Sequence, residues 1–290
     1  MSIPAALTYV YAVTQPTGSL QQALPTLHGI GGTPLRLLSP TAGTASDATG
    51  VALAFVVGDV PERDFNETAL KNHFEELEWL EYVARTHHDV VQAVAAHAPV
   101  IPLRMATVYQ DDHRAGQALT TQRHAFAQRI DQLRAHTEYG IKIYLTPSAA
   151  PDADPPDADG PGQPTSPGKA YLRARRVQHH TREAVYQQAQ HAARTIESIA
   201  ARHTTQRVRH APQRGALTGT QENVLNDAYL IPDDQADQFR TAIADAARDF
   251  PDLRIEVTGP WAPYSFATPP PDPHGPPGPH HGTDARQPPP

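Results

Sequence analysis

The sequence predicts an α+β protein of two domains, and two observations carry that prediction. Read by hydrophobic period, residues 7–109 run β-α-β-β-α-β, and residues 138–258 read in the same order. Of 30 prolines, 17 fall within 147–168 and 268–290, so the remainder of the 290-residue chain has an ordinary globular composition. This element order is that of the split β-α-β, ferredoxin-like arrangement, an antiparallel sheet carrying two helices on one face. The expected division is a modified ferredoxin-like N-terminal unit with a bridging helix over 1–136 and a C-terminal unit over 137–267. The latter combines a long helix with a small antiparallel sheet, and a disordered Pro/His-rich tail follows at 268–290.

The elements follow from local chemistry. "LTYVYAVT", residues 7–14, alternates and is β-rich, giving a first strand. A short helix over Leu20–Leu27 starts at Thr17 or Ser19 as cap and stops at the glycines of "HGIGG". Strands are expected at Leu35–Leu38 and Val51–Val57, the second a continuous apolar run and hence central. Steps of three and four through Leu77, Leu80, Ala84, His87, Val91, Val94 and Ala98 mark a long helix that Pro99 ends. Pro99–Tyr109 reads as a strand, with Pro102 at an edge or bulge. A bridging helix over 112–135 carries Leu119, Phe126, Ile130 and Leu133, and "EYGIKIYL" is again a strand.

Residues 147–168 are too polar and proline-rich to order themselves and read as a flexible excursion. A second long helix starts near Lys169 and is marked by Val185, Ala189, Ala192, Ile196 and Ile199. Strands near 206–211 and 223–231, a helix over 234–249 and the strand "LRIEVTG" complete the second unit.

Composition removes whole classes of function. Net charge is −7 and no Lys/Arg block is long enough to track a phosphate backbone, which argues against nucleic acid. With no cysteine there is no disulfide, thiolate chemistry or Cys-type zinc site, as expected of a cytoplasmic protein. The N-terminus lacks a basic n-region, and no apolar run reaches the roughly 18 residues of a membrane span.

Catalytic signatures fail when tested. "GQPTSPGKA" has five residues between its glycines and Ala170 where a phosphate loop needs a hydroxyl. "GIGG" is too short for a dinucleotide fingerprint. The pairs His87–His88 and His179–His180 point about 100° apart on a helix and cannot share one ion. No metal or cofactor is therefore expected. The acidic run "FEELEWLEY" reads as a charged outer face with Leu77, Leu80 and Val83 turned inward. Arg104, alone in an apolar strand, is expected to pair with a buried carboxylate such as Glu138, or else to bind an anion.

One stretch resists the bland reading. "VTGPWAPYSF", Val257–Phe266, places Trp261, Tyr264 and Phe266 among prolines after the last strand, where a solvated linker would be polar. Pro260 and Pro263 leave little backbone entropy to lose, so a fixed strap with its aromatics on one side is expected.

Four stretches together resemble the gas-vesicle accessory proteins F and L: "VIPLRMATVY", "EYGIKIYL", "GKAYL" and the closing "VTGPWAPYSF". The closing block is the most specific, with Gly259, Pro260, Trp261, Pro263, Tyr264, Ser265 and Phe266 standing where that family has "GPWPPYSF". Ala262 replaces its proline, and Met105–Ala106 replace the Phe–Gly that commonly precede the residue here Thr107. The resemblance implies a non-enzymatic assembly factor, cytoplasmic or on the gas vesicle, that binds the hydrophobic shell subunit and other accessory proteins. Two roles are open for the strap. It either locks the last strand to the interdomain surface or presents Trp261, Tyr264 and Phe266 to the shell subunit. Retention as a minor vesicle component is an alternative. A hydrolytic or small-molecule-binding protein with Arg104 and Glu138 in a cleft is a more remote one.

Overall fold

The computed structural model describes residues 6–40, 52–146, 167–204, 206–212 and 221–268. Of the expected excursion at 147–168, residues 147–166 lie outside these residues, while Pro167 and Gly168 already belong to a helix. The expected tail at 268–290 lies outside from residue 269 onward, as does Val51, the expected start of the third strand.

The first sheet is antiparallel. It holds β1 (Ala6–Thr14), β2 (Arg36–Leu38), β3 (Ala54–Pro61) and β4 (Val100–Pro102) in the order β2-β3-β1-β4, with β5 (Val108–Tyr109) also on β1. The helices of this half are α1 (Gly18–Ala23), α2 (Glu62–Phe65), α3 (Glu67–His73) and α4 (Leu77–Ala95). Thr17 caps α1 by accepting the Leu20 N–H at 3.1 Å, the role its sequence position suggests.

β1 is central, so its residues are buried on both faces. A bulge between Val10 and Ala12 shifts its alternation. Tyr9, Tyr11 and Ala12 join the core under α4, whereas Val10 and Val13 face the opposite side.

α4 covers that first core with Val83, His87, Val90, Val91 and Val94. Its inward stripe runs back through Trp79, whose ring lies 5.4 Å from Phe65, and not through Leu77. Leu77 is two positions from Trp79, about 200° around the helix, and is 76% exposed. The expected inward roles of Leu77 and Ala84 are thereby corrected.

Two expected elements are broken in the fold. The strand over Pro99–Tyr109 stops at Pro102, turns through Arg104–Thr107 with Ala106 at φ +62°, and resumes as β5. The bridging helix is two, α5 (Asp112–Thr121) and α6 (Arg123–Leu133), parted at Gln122. Both lie between the sheets. Leu119, Phe126 and Ile130 share one core with Val13, Phe55 and Ile101 of the first sheet and Ala228 and Leu230 of the second.

The second sheet contains β6 (His136–Leu145), β7 (Arg207–Arg209), β8 (Glu222–Pro232) and β9 (Leu253–Trp261), ordered β7-β8-β6-β9 and antiparallel throughout. Counted within each sheet, this is the strand order of the first, an arrangement compatible with the split β-α-β pattern. Its outer face is closed by α7 (Pro167–Ala200) and α8 (Ala236–Ala247). Along β6, Tyr139, Ile141 and Ile143 point to those helices. Glu138 and Gly140, which alternate with them, turn toward the other side, where the segment after β9 returns.

Candidate functional site

The strap is built where β9 leaves the ladder. β9 pairs with β6 in register from Leu253↔Leu145 to Thr258↔Gly140, then slips so that Trp261 lies opposite Glu138. Gly259 makes the slip possible. Its φ is +116°, and a Cβ there would stand 2.8 Å from the Glu138 carbonyl oxygen, so no other residue fits without a shift.

Beyond the slip, the backbone is held from α4. Gln92 donates its Nε2–H to the Pro260 carbonyl at 3.3 Å and accepts the Ala262 N–H on Oε1. Ala262 and Pro263 are buried beneath this clamp. A short 3₁₀ turn, Tyr264–Phe266, then brings Ser265 over Glu138. Ser265 donates its N–H to Oε2 at 2.8 Å and its hydroxyl to Oε1 at 2.7 Å. With that hydroxyl spent as a donor, His210 reaches it as a donor from Nε2 at 2.9 Å.

Glu138 is 7% exposed, and its burial pushes the carboxyl above the usual carboxylate range despite the two Ser265 bonds that oppose the shift. Phe266 is buried among Phe126, Ile130 and Leu230, and its carbonyl accepts from Arg129 Nε on α6 at 2.6 Å. The strap therefore ties α4, β6, α6 and the segment after β7 to one another.

The two aromatic rings left on its outer side meet one histidine. Tyr264 stacks on His88 with centroids 5.8 Å apart and planes at 23°, and burial drives its hydroxyl well above the normal tyrosine range. Trp261 lies 5.5 Å from the same ring but remains 39% exposed. It is one of the residues lining a cleft of about 480 Å³, with Gln92, His97, Val100, Leu133 and His136, between the end of α4 and the start of β6.

The preceding residue on α4 organises the turn at Arg104. His87 is 4% exposed, and its Nε2–H donates to the Leu103 carbonyl at 3.1 Å. Its Nδ1 accepts from the Tyr9 hydroxyl at 2.9 Å, and that hydroxyl accepts the Ala106 N–H at 3.0 Å. Burial holds the imidazole neutral, with its pKa lowered to about 4. Thr107 closes the turn by donating its N–H and hydroxyl to the Arg104 carbonyl at 3.2 and 2.6 Å.

The fold thus gathers Pro260, Trp261, Pro263, Tyr264, Phe266 and Glu138 into one seat, and hangs the Arg104 turn from the adjacent position of α4. The expected Arg104–Glu138 pair does not form. Arg104 is exposed in its turn, while Glu138 is buried and engaged by Ser265. Sequence reading missed Gln92, His88, His210 and Arg129, which carry no spacing cue because their partners lie on other elements. Ser265 was named only as part of the closing block.

Chemically, the seat is a mount. Its buried acid and its histidines are committed to holding backbone and rings, and the one large group left partly free is an indole. Among the described residues, no three His, Asp or Glu side chains gather as a metal would require, and no helix is long and apolar enough to cross a membrane.

Two like sheets, bridged by helices and strapped together by the segment after β9, define the class: an α+β protein of two antiparallel sheets. Residues 7–268 match the family described as gas vesicle synthesis protein GvpL/GvpF, and the chain belongs to it. It is 36% identical over 263 residues to gas vesicle protein L of Streptomyces sp. (strain CB03234), covering 90% of this chain and 92% of that one. To gas vesicle protein F of the same strain it is 27% identical over 266 residues, covering 89% and 98%. The crystal structure of GvpF from Anabaena sp. PCC7120 shares the fold with a TM-score of 0.59 at 14% identity, over 91% of this chain and 96% of that one. That of GvpF from Microcystis aeruginosa gives 0.55 at 18%, over 90% and 99%. The expected kinship is shown, and with it a role in the gas vesicle system.

Proposed function

We propose that this chain is a non-enzymatic assembly factor that binds the hydrophobic shell subunit of the gas vesicle, alongside other accessory proteins, at the cleft beside Trp261. The observation that supports the reading is the contrast within the strap. Ala262, Ser265 and Phe266 are fixed internally, while Trp261, in the wall of a cleft, is left 39% exposed. A large aromatic pre-organised in this way loses little entropy on binding and is a good anchor for an apolar partner. A subunit that assembles into a hydrophobic wall needs such a partner to cover its apolar surface beforehand. The protein would act in the cytoplasm and at the growing vesicle.

The two strap roles offered as alternatives from the sequence are divided among its residues in this reading, and Phe266, expected among the presented aromatics, is buried and belongs to the lock. Phe266 and Pro263 lock, Trp261 anchors, and Tyr264 supports Trp261 through His88. The test is co-expression with a shell subunit, followed by pull-down and sedimentation. Capture that keeps the subunit soluble, and that Trp261→Ala abolishes without unfolding the protein, supports the reading. A subunit that pellets and binds nothing refutes it.

A further inference from the structure

The sheets differ in how their edges are finished. β2 and β7 are three residues long, and the edge beyond β1 is split between β4 and β5. Short or broken strands make poor templates for another strand. β9 is nine residues long and forms the remaining edge, that of the second sheet.

The open side of β9 carries a defined set of donors and acceptors. Thr146 donates its N–H to the Asp252 carbonyl at 3.4 Å, which fixes the parity of the ladder: Asp252, Arg254 and Glu256 turn their backbone groups toward β6. Leu253, Ile255 and Val257 therefore turn theirs outward. The Leu253 N–H is taken by the Phe250 carbonyl at 3.1 Å. The Leu253 carbonyl and both groups of Ile255 and Val257 have no partner among the described residues.

The side chains of this stretch alternate. Leu253, Ile255 and Val257 face the core under α7 and α8. Arg254 and Glu256 share the opposite face, ion-paired with each other, and the Arg254 guanidinium lies 4.1 Å over the Tyr144 ring.

We propose that β9 pairs antiparallel with β9 of a second copy, across a two-fold axis at Ile255, so that two four-stranded sheets continue into each other. In this register Ile255 exchanges both backbone bonds with its mate, and each Val257 N–H reaches the opposing Leu253 carbonyl. Arg254 stands opposite Glu256 of the other copy, twice by symmetry, and Leu253 stands opposite Val257. A two-fold contact must be complementary to itself. The nearest alternatives that keep the backbone parity put the axis at Arg254 or at Glu256, and each sets like charges against one another, so the charges select this register. The inference does not depend on the shell-subunit reading.

Sedimentation equilibrium of the full chain tests it. The expected result is a reversible equilibrium that stops at twice the 31.5 kDa chain mass, because a two-fold contact closes. Arg254→Glu alone, or Glu256→Arg alone, sets like charges across the axis and should weaken dimerisation by about tenfold or more. Mixed in equal amounts, the two variants should form a heterodimer, since each then meets its opposite. A role for either residue confined to its own chain would give no such rescue. Val257→Pro removes an outward donor that β6 does not use, and it should leave a monomer with an unchanged circular dichroism spectrum. A monomer at every concentration overturns the proposal. So does a dimer indifferent to the single charge reversals, or a mixture of the two variants that stays monomeric.

Discussion

The Glu138 carboxylate accepts both the backbone N–H and the hydroxyl of Ser265, a residue 127 positions away, and so fastens the segment after β9 to the first strand of the second sheet. Burial raises the carboxyl's pKa, and the Ser265 bonds partly offset that burial. Ser265→Ala removes one charge-assisted bond from an acid with little access to water, a loss of about 1.5–3 kcal/mol when Glu138 is ionised. Glu138 protonates in the fold at a higher pH than in the unfolded chain, so the deficit of the variant should shrink as pH falls through that raised value. Urea unfolding of both proteins at neutral and acid pH measures it. An equal deficit at every pH would contradict the assignment.

His87 acts with the opposite sign. Its pKa is about 4 in the fold against an ordinary value near 6.5, so the unfolded chain binds the extra proton first. Its contribution is complete above pH 6.5 and is lost progressively as pH falls from there to about 4, a total of about 3 kcal/mol. His87→Leu should be less stable at neutral pH, because the Leu103 carbonyl and Tyr9 hydroxyl lose their partner. It should also show a flatter decline across this window, read by denaturant midpoints at successive pH values.

How much of this was legible in the sequence depends on how local the cause was. The two β-α-β-β-α-β series, the Thr17 cap and the docking of the strap follow from period, capping chemistry and the expense of bare aromatics, all readable within a few residues. The strand expected through Pro99–Tyr109 was not, because the break after Pro102 is held by His87 and Tyr9, two residues distant in sequence. The same holds for Leu77. Its spacing fits a helical stripe, but Trp79, packed on Phe65, takes the inward position and leaves Leu77 on the exposed side. Glu138 was expected to need a partner and has one, but Ser265 supplies it in place of Arg104.

Two backbone positions should respond in opposite directions. Ala106 sits at φ +62°, in the left-handed region where the resembling family commonly carries glycine. Ala106→Gly relieves a cost of about 1 kcal/mol in the fold, offset in part by the greater freedom of glycine when unfolded. It should be neutral to slightly stabilising. Gly259→Ala places a Cβ 2.8 Å from the Glu138 carbonyl oxygen at φ +116° and should destabilise by more than about 1 kcal/mol. Thermal melts of the pair decide the point, and a tolerated Gly259→Ala would mean that the strap does not follow this path in solution.

The strap's two largest rings separate structure from recognition. Phe266 is 4% exposed in the core shared by both sheets, so Phe266→Ala should cost about 3–5 kcal/mol through lost burial and the cavity left between α6 and β8. Trp261 is 39% exposed and its indole leans on His88 alone among the rings, so Trp261→Ala should cost only about 1 kcal/mol. Denaturant unfolding of the two variants supplies the comparison. If it comes out in this order, any loss of shell-subunit capture in Trp261→Ala reflects the missing contact and not a loosened fold, because His88, Gln92 and Glu138 still hold the strap in place. If instead Trp261→Ala unfolds as readily as Phe266→Ala, the indole is part of the lock, and the binding anchor must be sought elsewhere on the cleft.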